Sequence, residues 1–213
     1  MTRIETLSQL TQNIDTLLDI GSDHGYVIIE ALKKGYIQKG IACEINPMPL
    51  ENAKMNITAS GFTDRVSLVL SNGFLNVKEH FDGVLIAGMG MHLIKEILLQ
   101  PHTKAKKYIL QANNHIDQLR AFVTRNGFRI VDEVTIFEKF HYVILVLEPG
   151  DMQLSEKECF IGPILSSRPE ALPYYLNLYR ILSSNHEHAN GEKKRQIAMK
   201  MNYLNDVIQQ LSK

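Results

Sequence analysis

Between residues 16 and 90, apolar runs of about five residues alternate with stretches whose apolar positions recur every three or four residues. Continuous apolar runs suit strands covered on both faces, and the helical period between them supplies the cover, so the pattern predicts βαβ units and a mostly parallel sheet. Strands are expected at 16–20, 39–45, 65–70, 82–87 and 107–112, with helices at 26–34, 47–60 and 91–100. Pro47 suits a first helical position and Gly61 a helix stop. A helix at 115–126 leads into strand-like runs at 128–140 and 142–147, whose link is short enough to require an antiparallel pair. Residues 1–10 read as an amphipathic helix with Ile4, Leu7 and Leu10 on one face.

The pattern changes at Glu148-Pro149-Gly150-Asp151. Ser155 and Glu158 have capping-box spacing, and the rest of the chain is helical in pattern. Leu172, Tyr175, Tyr179 and Leu182 form one seam with coiled-coil spacing, and Ile197, Met201, Leu204, Ile208 and Leu211 a second. Joined through polar residues 183–191, the two helices should pair as an antiparallel hairpin. The expected fold is therefore α/β, a Rossmann-like sheet with an antiparallel terminal hairpin in residues 1–150, followed by a helical, coiled-coil-like domain in residues 151–213.

Candidate chemistry begins at the end of the first strand. Gly21-Ser22-Asp23-His24-Gly25 would turn sharply into the next helix, and Glu44 and Ile45 close the second strand, with Glu44 placed to accept both ribose hydroxyls of a nucleoside. Asp19 and Asp23 would repel the pyrophosphate of a dinucleotide. They suit a cofactor with positive charge beside its adenosine, S-adenosylmethionine, whose amino-acid end Asp19 would anchor beside Gly21, Ser22 and Gly25. Asn72-Gly73 stands where the adenine ring would lie against the backbone. The competing reading at each position is a plain turn or a solvated strand end.

At the fourth strand, Ala87 leads into Gly88-Met89-Gly90, where an acceptor base would meet the methyl group. No Asn-Pro-Pro-Tyr motif and no cysteine nucleophile stands there. Tyr26 could stack on a flipped base and His24 relay a proton, while Asp23 offsets charge. His92, Asn113 and Asn114 are further candidates at the same mouth.

With 213 residues and zero formal net charge, the chain is large enough to bury its own core and is no general polyanion binder. Lys193-Lys194-Arg195, with Lys200 nearby, is the one basic cluster, while His186 and His188 fall in the expected polar link and suggest no metal site. Two cysteines, Cys43 and Cys159, give no disulfide framework, and neither a signal peptide nor a membrane span is visible, so a cytoplasmic location is expected.

Asp19-Ile20-Gly21-Ser22-Asp23-His24-Gly25-Tyr26 resembles the Asp-Ile-Gly-Ser-Asp-His-Ala-Tyr of the bacterial tRNA (adenine-22-N1)-methyltransferases, and Ile86-Ala87-Gly88-Met89-Gly90 resembles their Ile-Ala-Gly-Met-Gly-Gly. Leu154-Ser155-Glu156-Lys157-Glu158 with Gly162-Pro163 is similar to the family's entry into its C-terminal hairpin. The resemblance implies S-adenosylmethionine as donor, N1 of a tRNA adenine as acceptor, and a helical domain that helps hold the tRNA. The sequence departs from the family at Gly25, at Asn72 in place of aspartate, at Met91 in place of glycine, where the acceptor space should narrow, and at Ala112 in place of proline. The alternatives are a same-fold enzyme with another RNA or small-molecule acceptor, and a non-catalytic binder of the cofactor.

Overall fold

The computed structural model describes Met1–Lys213. All five residues of β1 (Thr16–Ile20) are buried, as the unbroken apolar run requires. Around it lie β2 (Lys39–Glu44), β3 (Val66–Leu70), β4 (Gly83–Met89), β5 (Lys107–Ala112), β6 (Phe128–Phe137) and β7 (His141–Pro149). The sheet order is β3-β2-β1-β4-β5-β7-β6, parallel through β5, with β7 antiparallel to both β5 and β6. The expected terminal hairpin thus folds back so that its second strand, not its first, joins the parallel part.

Helices cover both faces. Leu7 of α1 (Arg3–Leu10), Ile28 and Leu32 of α2 (Tyr26–Lys33), and Ala53 and Ile57 of α3 (Pro47–Ala59) pack on one side with Leu17, Leu85 and Ile109. Ile94 and Ile97 of α4 (Met91–Leu98) and Leu119 and Val123 of α5 (Ile116–Arg125) cover the other. α1 starts at a capping box formed by Thr2 and Glu5. The box expected at Ser155 and Glu158 opens α6 (Glu156–Ile161).

The last helices differ from the expected hairpin in two ways. α7 (Leu172–Glu187) continues through Ser183–Ser184, so only residues 188–190 separate it from α8 (Gly191–Leu211), and His186 belongs to the helix rather than to a link. The buried positions of α8 are Ile197, Leu204 and Val207, the last outside the predicted seam, while Leu172 and Met201 are half-buried. Tyr175, Leu204 and Val207 share one apolar cluster with the sheet residues Leu110 and Leu145, so the C-terminal helices complete the cover of that face.

Candidate active site

β1 lies between β2 and β4, where the order of winding reverses, and an open α/β sheet binds its ligand at such a point beyond the carboxyl ends of its strands. A cleft of about 280 Å³ opens there, floored by Asp19, Leu85 and Ala87, bordered by Gly21–His24, Tyr26 and Gly88, and closed from above by Arg3, Ile4 and Leu7 of α1. A larger depression at the opposite, amino end of β1 and β2 is lined by Asp15, Lys39, Arg65 and His80 and holds none of the predicted residues.

Asp19 is 4% exposed, with no protein donor on its carboxylate. Burial, reinforced by the nearby Glu44 carboxylate, pushes its carboxyl up to about 7. The Ser22 hydroxyl, buried in the loop above, has no hydrogen-bond partner. Folded chains seldom strand buried polar groups, and an unpaired carboxylate beside an unpaired hydroxyl in a cleft marks a place for a ligand. Both groups accept hydrogen bonds, which fits the ammonium-bearing end of S-adenosylmethionine.

Glu44 Oε1 accepts the Asp23 amide at 2.6 Å. That bond holds Asp23 in the left-handed region, φ 50°, a strained conformation for a residue with a side chain. Glu44 thus holds the loop through one oxygen while its carboxylate stands at the end of β2. Asp23 then projects outward, its Oδ2 3.6 Å from His24 Nε2, and the His24 ring stacks on Tyr26 with centroids 5.2 Å apart. The three predicted acceptor-side residues therefore form one group on the rim.

At the end of β4 the Gly88 peptide is fixed from both sides. Its N–H donates to Gln111 Oε1 (3.2 Å), its carbonyl accepts Asn113 Nδ2 (2.7 Å), and Gln111 Nε2 donates to Asn113 Oδ1 (3.0 Å). Its φ of 79° requires glycine. Met89 packs back over Gly21, and Gly90 precedes α4, whose first amide, that of Met91, donates to Asn114 Oδ1. Met91 is itself 4% exposed and buried in the core, so it does not narrow the acceptor space as the sequence suggested.

Some predicted residues lie outside this cleft. Ile45 is exposed beyond β2, and Asn72 is exposed beyond β3. Gly73 is buried behind Gln100, whose Oε1 accepts the Phe74 amide, while Asn72 is exposed to solvent. Gly25 is buried at the start of α2. Lys193, Lys194 and Arg195 are exposed at the start of α8, whereas Lys200 lies 3.7 Å from Asp117 and over the Phe160 ring. No group of three His, Cys, Asp or Glu side chains is placed to hold a metal, and no helix is long and apolar enough to cross a membrane. Sequence reasoning missed Arg3 and the role of Gln111. The capping box at Thr2 fixes where α1 begins, yet nothing local shows where that helix docks.

Residues 17–213 match the family model of the tRNA (adenine(22)-N(1))-methyltransferases. The enzyme of that name from Bacillus subtilis is 28% identical, over 97% of this chain and 95% of its own. A Streptococcus pneumoniae protein solved with S-adenosyl-L-methionine superposes with a TM-score of 0.87 at 32% identity, covering 97% of this chain and 98% of that one. M. capricolum TrmK, solved with S-adenosyl-homocysteine, superposes with a TM-score of 0.85 at 27% identity, covering 99% and 98%. With a switch-point cleft and a family match that runs from β1 to the last residue, this chain belongs to the tRNA (adenine(22)-N(1))-methyltransferase family.

Proposed function

We propose that the chain transfers the methyl group of S-adenosylmethionine to N1 of adenine 22 in tRNA. Residues 1–150 bind the cofactor and the acceptor base, and residues 151–213 help hold the tRNA. The observation that carries this reading is the buried, unpaired Asp19 carboxylate beside the orphan Ser22 hydroxyl at the switch point of a chain of this family. Asp19, Gly21, Ser22, Gly25, Glu44, Ile45, Asn72, Gly73 and Ala87 form the cofactor side. Asp23, His24, Tyr26, Gly88, Met89 and Gly90 form the acceptor side.

When bound, S-adenosylmethionine supplies an electrophilic methyl group on a positively charged sulfur. Adenine N1 is already a nucleophile, so the protein contributes orientation and charge rather than a covalent step. Methylation makes the ring cationic, and Asp23 stands at the rim to offset that charge, with His24 beside it to take a proton from the exocyclic amine. Exposing a stacked adenine costs a few kcal/mol, which the paired His24 and Tyr26 rings help recover by stacking. The exposed Lys193, Lys194 and Arg195 are placed for phosphates, contacts that position an RNA without reading it. A tRNA substrate puts the reaction in the cytoplasm.

The test is labelled transfer to unmodified tRNA transcripts with and without adenine 22, with the product mapped by digestion and mass spectrometry. N1-methyladenine only where adenine 22 is present supports the reading, and cofactor binding without transfer sinks it. Asp23→Ala should lower turnover by about 10- to 100-fold with the cofactor Kd little changed. Unchanged turnover removes Asp23 from the chemistry.

A further inference from the structure

The link between β6 and β7 is a short turn, Glu138-Lys139-Phe140, in which the Glu138 amide donates to the Phe140 carbonyl at 3.1 Å. β7 runs antiparallel to β5 with Ile144 opposite Gln111, so the turn stands beyond the carboxyl end of β5, on the side of the sheet where the cleft opens. Arg3, which lines the cleft, ties the turn to it. Its backbone amide donates to Glu138 Oε1 at 2.8 Å, its guanidinium lies 5.2 Å from the centroid of the Tyr142 ring, and its Nη1 donates to Gln111 Oε1 at 3.2 Å. Gln111 is fully buried and also accepts the Gly88 amide, so the turn is anchored to the acceptor side of the cleft.

Short turns ordinarily take small or polar residues, yet this one ends in a phenylalanine that is 59% exposed. Phe137 is exposed as well, but its ring lies 4.7 Å from that of His141. Phe140 belongs to neither apolar cluster of the core, and the Lys139 ammonium lies 5.7 Å from its centroid. An uncovered aromatic face with a cation beside it suits an unstacked base and its phosphate. Taking an adenine out of its stack bares one face of the neighbouring base. The adenine itself is met by His24 and Tyr26, and the bared neighbour needs a second platform close to the cleft. We propose that the β6–β7 turn is that platform, with Phe140 stacking on the base next to the target adenine and Lys139 contacting an adjoining phosphate. This inference rests on the tRNA acceptor stated under the proposed function.

The test is tRNA binding and methyl transfer by the full-length protein, with intact tRNA and with two ligated tRNAs that carry an abasic residue on the 5′ or the 3′ side of adenine 22. Phe140→Ala and Phe140→Leu should each weaken binding of intact tRNA by about 10- to 100-fold with the cofactor Kd unchanged, and Phe140→Trp should bind as the wild type does. One of the abasic tRNAs should cost the wild type a similar factor and cost Phe140→Ala almost nothing more, because both changes remove the same contact. Lys139→Gln should lower the slope of log Kd against log salt by about one. The proposal is overturned if Phe140→Ala binds intact tRNA as the wild type does, if leucine replaces phenylalanine without loss, if the losses are additive for both abasic tRNAs, or if Lys139→Gln leaves the slope unchanged. It is also overturned if Phe140→Ala lowers the sedimenting mass of the free protein, which would assign the turn to contact between copies of this chain. A wild type that does not methylate adenine 22 sinks the proposed function and this inference together, whereas methylation of adenine 22 that is indifferent to Phe140 sinks this inference alone.

Discussion

Glu133→Ala should destabilise the protein by about 3–5 kcal/mol, the cost of leaving a buried cation without its partner, and lower Tm by roughly 6 °C or more for a chain of this size. Arg120 of α5 and Glu133 of β6 are both fully buried, with Arg120 Nε donating to Glu133 Oε1 at 2.7 Å. The pair also serves the backbone that leads into the C-terminal helices. Arg120 Nη1 donates to the carbonyls of Cys159 and Phe160, and Glu133 Oε2 accepts the amides of Ile164 and Leu165 at 2.8 Å each. Gly162 sits against both charges, since a Cβ there would lie 2.7 Å from Arg120 Nη2 and 2.8 Å from Glu133 Oε2, and its φ of 92° adds backbone strain to any replacement.

A simple buried ion pair can often be exchanged for apolar residues at little cost, but here the double replacement Arg120→Met/Glu133→Leu would still strand those four backbone groups. The double variant should therefore remain destabilised, by far less than the sum of the two single losses, because both singles break the same network. Urea unfolding of the singles and the double measures this. Full recovery of stability in the double would show that the backbone contacts contribute nothing. Loss of the pair should also expose the chain near Gly162 to limited proteolysis before the sheet unfolds, since this network links α6 to the sheet.

What could be read from the sequence was set by local interactions. The β1 run and the Gly21–Gly25 loop were legible because strand, turn and helix start are consecutive and each residue type has one local physical reason to be there. Four features were not fully legible, for separate reasons. In β6, a bulge between Ile130 and Asp132 adds one residue to the strand, so the inward face moves from even to odd positions and turns Glu133 into the core, where strict alternation would leave it outside. Arg120 did carry a signal, as a charge within the apolar spacing of Ile116, Leu119 and Val123, but its partner lies on another element. Ser183–His188 combines small polar residues with weak helix preference, which reads as a link, yet the same polarity suits the solvent-exposed end of α7. Arg3 belongs to the site through a contact 108 residues away, a relation that tertiary docking alone creates.

The Asp19 carboxyl, held near 7 in the folded chain, should make cofactor affinity and apo stability respond to pH in opposite directions. Its folded pKa is raised above that of an unfolded aspartate, so the penalty is absent below about pH 4, grows as pH rises toward 7 and is fully present above it. Asp19→Asn removes that penalty. The variant should be more stable than the wild type by about 2–4 kcal/mol at pH 8 and indistinguishable from it near pH 4, with thermal unfolding of the cofactor-free protein as the measurement. Binding of an ammonium requires the ionised carboxylate. The wild-type Kd for S-adenosylmethionine should therefore tighten by up to about tenfold per pH unit between pH 5 and 7, with a proton released on binding, and level off above 7. The useful window ends near pH 7.5, because the ligand's own amine begins to lose its proton there. Asp19→Asn should bind weakly with a flat profile across that window. A wild-type Kd independent of pH would mean that the ammonium is held elsewhere. A stability gain without loss of binding would mean that Asp19 is buried for no purpose of the cofactor site, and both results together would move the amino-acid end of the ligand away from β1.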